Sequence, residues 1–198
     1  MSTRKLQRQA RWSRVSSGLL ALLCICGAAA RAQSNQAAEY QLKAAFLFDF
    51  AKFIDWPPSA FAGAQSPFTI CIIGRDPFGS FFDEYVADKT IDSRPALIER
   101  FASFKLPAGT RCQIAFISAS EQFHYRDVIA SFSGQSTLLV GDAGGFASSG
   151  GAIEFLLEEN HIRFAINPEA ADRADLKVSS KLLALAQIVH DDRDRGRN

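Results

Sequence analysis

The chain lacks the residue patterns that most enzymes and metal proteins need. Gly74-Arg-Asp-Pro-Phe-Gly79 has the glycine spacing of a phosphate-binding loop, but Ser80 stands where lysine is required. No Gly-x-Ser-x-Gly elbow occurs, and Ser179-Ser180-Lys181 lacks the Ser-x-x-Lys spacing. There are three histidines, His124, His161 and His190, and none has a second ligand at helical or strand spacing, which argues against a metal centre. Cys-x-x-Cys is absent. Neither charge dominates, with 22 basic and 21 acidic residues, so the chain has no electrostatic footprint for nucleic acid. Acidic neighbours such as Glu158 and Glu159 read as a solvated hairpin tip. Together these absences predict a noncatalytic protein without cofactor or metal.

What is present begins at the N-terminus. Arg4, Lys5, Arg8, Arg11 and Arg14 precede an apolar run from Val15 to Ala30, and Ala30-Arg31-Ala32 places small residues where a signal peptidase cuts. Residues 1–32 read as a cleavable secretory signal, with the exported chain starting near Gln33. An uncleaved anchor is the alternative. Lipidation at Cys24 or Cys26 fits less well, because each follows a bulky residue. Six basic residues leave with the signal, so the exported part keeps 16 basic against 21 acidic residues and retains all 17 phenylalanines. It also keeps two cysteines, Cys71 and Cys112, an even pair in an oxidising compartment. A disulfide is the default expectation, and closing the intervening loop stabilises a fold by about 3 to 5 kcal/mol. A redox-responsive bond and a pair of free buried thiols are the other readings.

Residues 33–189 read as one α/β domain. Helical periodicity spans 36–56 and stops at Pro57-Pro58, with Leu42, Ala45, Phe46, Phe50, Phe53 and Trp56 on one face. Asp49 falls inside that face and needs a backbone donor, a cation or solvent. Phe48 points the other way and is expected to be exposed. Residues 68–74, 113–118 and 137–141 read as buried strands, and 95–101 as an edge strand. Helices are expected from Asp76-Pro77 to about Val86 and from Ser118, boxed with Glu121, to about Phe132. Alternating strands around Glu159-Asn160 form an antiparallel hairpin, placed at one edge of the sheet. Asn167-Pro168 starts a short helix, Ser179 caps a last helix to about Val189, and 190–198 reads as a charged, disordered tail. The fold class is α/β: a single-layer, largely parallel sheet with an antiparallel C-terminal hairpin, flanked by helices.

Two residue sets are candidates for recognition. Phe48, Asp49, Phe53 and Trp56 form a candidate partner interface. Asp142, Phe146, Arg163, Asn167, Lys177, Ser179 and Ser180 form a candidate small-ligand cleft, the last three near a helix start where free N–H groups attract anions.

The stretch Tyr40-Gln-Leu-Lys-Ala-Ala-Phe-Leu-Phe-Asp-Phe-Ala-Lys-Phe-Ile-Asp-Trp-Pro57 resembles the YfiR-like family of periplasmic proteins. The similarity continues through the Cys112 strand, Leu139 to Phe146, Gly150 to Phe155, Ile162 to Asn167 and Leu176 to Leu183. The resemblance implies a compact α/β domain, often a homodimer, without catalysis. It also implies repression of a membrane-bound diguanylate cyclase through that enzyme's periplasmic domain, countered by an OmpA-like outer-membrane lipoprotein that sequesters the repressor. In that family Cys71 and Cys112 match a disulfide. A second cysteine pair of some members is absent here, its place taken by the Gly144 to Gly151 loop, and Asp49 stands where asparagine is common. A periplasmic small-molecule receptor that feeds a membrane kinase or cyclase is the alternative reading.

Overall fold

In the computed structural model, which describes residues 35–159 and 161–191, the apolar runs read as buried strands lie side by side in one sheet. The strands are β2 (Phe68–Ile73), β3 (Thr90–Ile91), β4 (Arg94–Phe101), β5 (Ile114–Ile117), β6 (Leu138–Gly141), β7 (Ile153–Glu158), β8 (His161–Ile166) and β10 (Gln187–Ile188). Their order across the sheet is β10-β8-β7-β6-β5-β2-β4-β3. The run from β7 to β4 is parallel, β7–β8 and β3–β4 are antiparallel, and β10 joins β8 in parallel. Two short strands, β1 (Ile54–Asp55) and β9 (Lys177–Val178), make a separate antiparallel ribbon. The architecture is therefore the largely parallel α/β sheet with an antiparallel C-terminal hairpin. The expected signal segment 1–32 and cut near Gln33, Asn160 and the expected tail from residue 192 lie outside the described residues.

Side-chain alternation along the central strands feeds two cores. Phe68, Ile70 and Ile72 of β2, with Ile114 and Phe116 of β5, face one cluster. Into that cluster pack the part of helix α1 (35–50) that starts at Tyr40, α2 (Ser80–Val86), α4 (Pro168–Arg173) and α5 (Ser180–Leu183). Cys71 and Ile73, with Ala115 and Ile117, face a second cluster with α3 (Tyr125–Ser131). Both faces are covered, which is why these strands carry no polar alternation. Residues from Tyr40 onward form one compact unit; of the segment before it, only 35–39 are described, and they are helical.

Cys71 and Cys112 are joined, with their Cα atoms 5.7 Å apart across the β2–β5 pair. Both sulfurs belong to the second core, beneath the loop that carries Phe104 and Leu106.

Several elements differ from the periodicity reading. The helix expected to run to Trp56 ends at residue 50; a 3-10 turn (Ala51–Phe53) follows, and Ile54 then pairs with Val178 in the ribbon. β-branched Ile54 gains a strand partner that local periodicity could not reveal. The last helix stops at Leu183, because the chain must turn to lay Gln187 and Ile188 beside Ala165 and Ile166 of β8. β10 rather than the hairpin is thus the outermost strand on that side. Ser118 does cap the next segment, accepting from the Ser120 N–H, but the segment starts as a 3-10 helix (Ala119–His124). The reciprocal arm of a capping box cannot form there, because the Ser118 N–H already donates to the Ile73 carbonyl at 3.0 Å.

Candidate functional site

Helix α1 buries a different arc from the one expected. Ala44, Leu47, Phe48, Phe50 and Ala51 face the core, while Leu42 is 47% exposed. Phe48, expected to be exposed, is only 3% exposed. Its ring stands edge-on to Tyr85 at 6.0 Å, and the ammonium groups of Lys52 and Lys89 lie over it at 4.5 and 5.8 Å. Phe48 is therefore a core residue, sandwiched against α2, and not a contact for a partner. Asp49 sits outside the core, its side chain 49% exposed and paired with Lys52 at 2.7 Å. The need for a cation or solvent is met by both.

The arc is rotated because Lys43 goes inward. Its ammonium meets Asp142 at 2.7 Å, with side chains only 5% and 1% exposed. Tyr40 donates to the other Asp142 oxygen at 2.9 Å, and the Lys43 ammonium lies 4.7 Å from the Tyr40 ring centre. A buried charge is tolerable only when paired and hydrogen-bonded, and this one is both. The pair ties α1 to the loop that leaves β6.

That loop is itself fixed without a second disulfide. The Glu154 carboxylate accepts from the Gly145 and Ala147 N–H groups at 3.1 and 2.9 Å. Phe146 is fully buried, edge-on to Tyr125 at 4.7 Å. The Tyr125 hydroxyl accepts from the Ala143 N–H at 3.2 Å, and burial pushes its pKa up to about 12. Asn167, also fully buried, donates to the Ala147 carbonyl at 2.9 Å and to Asp191, and its oxygen caps α4 through the Ala170 N–H at 3.0 Å. Asp191 in turn meets Arg173 at 2.9 Å, and His190 meets Glu169 at 2.8 Å. The Glu169 carboxyl is held below the usual range by its own backbone N–H, with His190 helping. His190 and Asp191, read from sequence as the start of a free tail, are thus docked.

The seven residues of the expected ligand cleft fall in three places. Asp142, Phe146 and Asn167 are engaged inside the fold. Arg163 is exposed near the hairpin end, 3.3 Å from Glu158. Lys177, Ser179 and Ser180 belong to the ribbon and the start of α5. None of the seven lines the pair of adjoining cavities, of about 280 and 380 Å³, that lies beside Gly134.

The structure instead joins parts of both sets. The Phe53 carbonyl accepts from the Ser179 N–H at 2.9 Å, and Asp55 stands opposite Lys177 in the β1–β9 register. Trp56 follows directly; its indole donates to the Ala51 carbonyl at 3.0 Å and its ring meets Phe68 edge-on at 5.1 Å. The result is a continuous strip in which Phe53 and Trp56 are half-buried and Asp49, Lys52, Asp55, Lys177 and Ser180 are solvent-facing or nearly so. This combination of partly buried aromatics with charges of both signs suits a protein contact. Sequence reasoning missed Phe123, which is 88% exposed on the 3-10 turn before α3. Its place beside the Ser118 cap gave no sign of that exposure.

Among the described residues no group of three or more acidic, histidine or cysteine side chains is placed to hold a metal, and no helix is long and apolar enough to cross a membrane. No curated protein matches the chain. A solved structure, the ABC domain in complex with L-Trp from Streptococcus pneumonia, is similar at 12% identity with a TM-score of 0.47, over 62% of this chain and 55% of that one. The chain thus spans about half the length of that structure. Residues 40–187 match the family described as YfiR/HmsC-like, from the Tyr40 that bonds Asp142 to the first residue of β10, and the chain belongs to that family.

Proposed function

We propose that this protein is a periplasmic regulatory binding protein that represses an inner-membrane diguanylate cyclase by occupying the cyclase's periplasmic sensor domain. The family match across nearly the whole described domain carries the reading. The basic-apolar-small pattern of residues 1–32 supports export, and the absence of catalytic motifs supports action by occupancy. Bound protein holds the sensor in an inactive arrangement; its removal shifts the population toward active cyclase. Cyclic-di-GMP then rises and biofilm formation with it. An OmpA-like outer-membrane lipoprotein is the proposed antagonist, and a homodimer the proposed working form.

The strip around Asp49, Phe53, Trp56 and Lys177 is the proposed contact surface. Deleting the gene tests the reading in cells: intracellular cyclic-di-GMP is expected to rise wherever the cyclase is expressed, and an unchanged level refutes repression. The surface is tested with purified protein and the cyclase's periplasmic domain. Asp49→Lys, at a half-exposed position, and Lys177→Glu, at an exposed one, are expected to weaken binding while shifting the melting temperature little. Unchanged affinity in both variants moves the contact elsewhere.

A further inference from the structure

We propose that a cleft at the N-terminal edge of the sheet, with the Arg111 guanidinium at one end and an apolar hollow beside α3 and α4 at the other, binds a small carboxylate that carries an apolar tail. The site is separate from the strip assigned to the partner, and from the ligand residues expected from the sequence.

The cleft consists of two adjoining cavities, about 380 and 280 Å³, which share Gly134, Gln135 and Thr137. Their combined size suits a small-molecule site, for which roughly 300 to 1,000 Å³ is usual. The backbone creates the space. α3 ends at Ser131, and Gly134, at φ +77°, turns the chain back toward β6. Gly109, at φ +84°, does the same before β5, and a Cβ at either glycine would meet nothing within 4 Å. Both glycines line the larger cavity.

The two ends differ in chemistry. The larger cavity is lined by Ser59, Thr110, Arg111, Gln135 and Ser136. Arg111 is exposed there, and its one hydrogen bond within the described residues is a long 3.4 Å contact with the Ser59 carbonyl. Among the described residues no carboxylate lies within ion-pair distance of it. The smaller cavity is walled by Ile129, Phe132, Leu139, Ala152 and Ala170. The arginine at that far end, Arg173, is already neutralised by Asp191 at 2.9 Å. Among the described residues, one uncompensated cation therefore faces the cleft, at one end. That asymmetry fixes the ligand's polarity: an anionic head on Arg111 among the hydroxyls, and an apolar body against α3 and α4. The planar guanidinium fork can hold a carboxylate or a phosphate by two parallel hydrogen bonds, and the single charge of a carboxylate matches the single guanidinium.

The test is calorimetric titration of the exported chain with 3-phenylpropionate, 3-phenylpropanol, acetate and inorganic phosphate. Saturable binding is expected for 3-phenylpropionate alone. Arg111→Gln is expected to weaken it at least about tenfold, Arg111→Lys to weaken it less, and Ala130→Trp, at an exposed position on the cavity wall, to block the apolar end. Melting temperatures of the unliganded variants check that each is folded. The proposal is overturned if the alcohol binds as tightly as the acid, if phosphate binds in preference to it, if both Arg111→Gln and Ala130→Trp leave its binding unchanged, or if none of the four probes saturates.

Discussion

Gly151→Ala is expected to be among the most destabilising single-methyl additions in this protein, and the geometry says how much. A Cβ at Gly151 would lie 2.1 Å from Phe146 Cε1 and 2.2 Å from Cδ1, where ordinary contacts are 3.4–4 Å. The same ring blocks Gly141 from the other side, 2.2 Å from where its Cβ would be. Phe146 is fully buried and pinned against Tyr125, so the ring has nowhere to retreat. Gly151 does not have a positive φ, so the cost is steric rather than conformational. Overpacking of this severity costs about 3 kcal/mol. Phe146→Ala alone leaves a void and costs about 4 kcal/mol. In the double variant the new methyl enters the space the ring has left. Its total cost is therefore expected to stay near that of Phe146→Ala alone, a coupling of about 3 kcal/mol between the two sites. Urea unfolding followed by circular dichroism measures all three values at constant m. A neutral Gly151→Ala, or a double variant whose cost is the sum of the singles, refutes the plug.

Other outcomes follow from the same structure. Replacing Cys71 and Cys112 together by serine releases a loop spanning a sequence separation of 41 and is expected to cost about 4 kcal/mol, read as a lower urea midpoint that reductant no longer alters. Asp83 is held below its ordinary 3.8 by hydrogen bonds to Arg100, so its contribution is present above that value and lost as pH falls through the lower folded value. Arg100→Gln should therefore flatten part of the acid limb below about pH 4, by under about 1 kcal/mol because the pair is half exposed; identical acid limbs remove the pair from the stability argument. Asn167→Ala strips the cap of α4 and leaves the Ala147 carbonyl with the Gly150 N–H alone and Asp191 with Arg173 alone, for an expected loss of about 2 kcal/mol by thermal or urea melts.

The strands were legible because burial on both faces writes itself into composition. Phe68-Thr-Ile-Cys-Ile-Ile73 has no surface to offer, and its neighbours β5 and β6 read the same way. The hairpin was legible from period-two alternation, and Asn167-Pro168 from cap chemistry. What failed were features whose partner lies far along the chain. Ile54 is a strand residue only because Val178 is beside it, and the helix stops at 50 for that reason. Gln187 and Ile188 look helical until Ala165 and Ile166 are placed next to them.

The rotation of α1 shows why one charged residue can mislead a whole face. The sequence of α1 carries two overlapping apolar arcs, one with Leu42, Ala45 and Phe46, the other with Ala44, Leu47 and Phe48. Lys43 lies on the edge of the second and makes it look like the solvent side. Its true partner, Asp142, is 99 residues away, in the glycine-rich loop that follows β6. Gly141 and Gly151 leave the space that Phe146 fills, and the loop's fixed shape is what delivers Asp142 to Lys43. The assignments of Phe48, Asp49 and Asp142 therefore stand or fall together. Once Asp142 is recognised as the counter-ion of α1, Phe48 must be core and Asp49 must face outward. The proposed contact surface therefore loses Phe48 and keeps Asp49, Phe53 and Trp56.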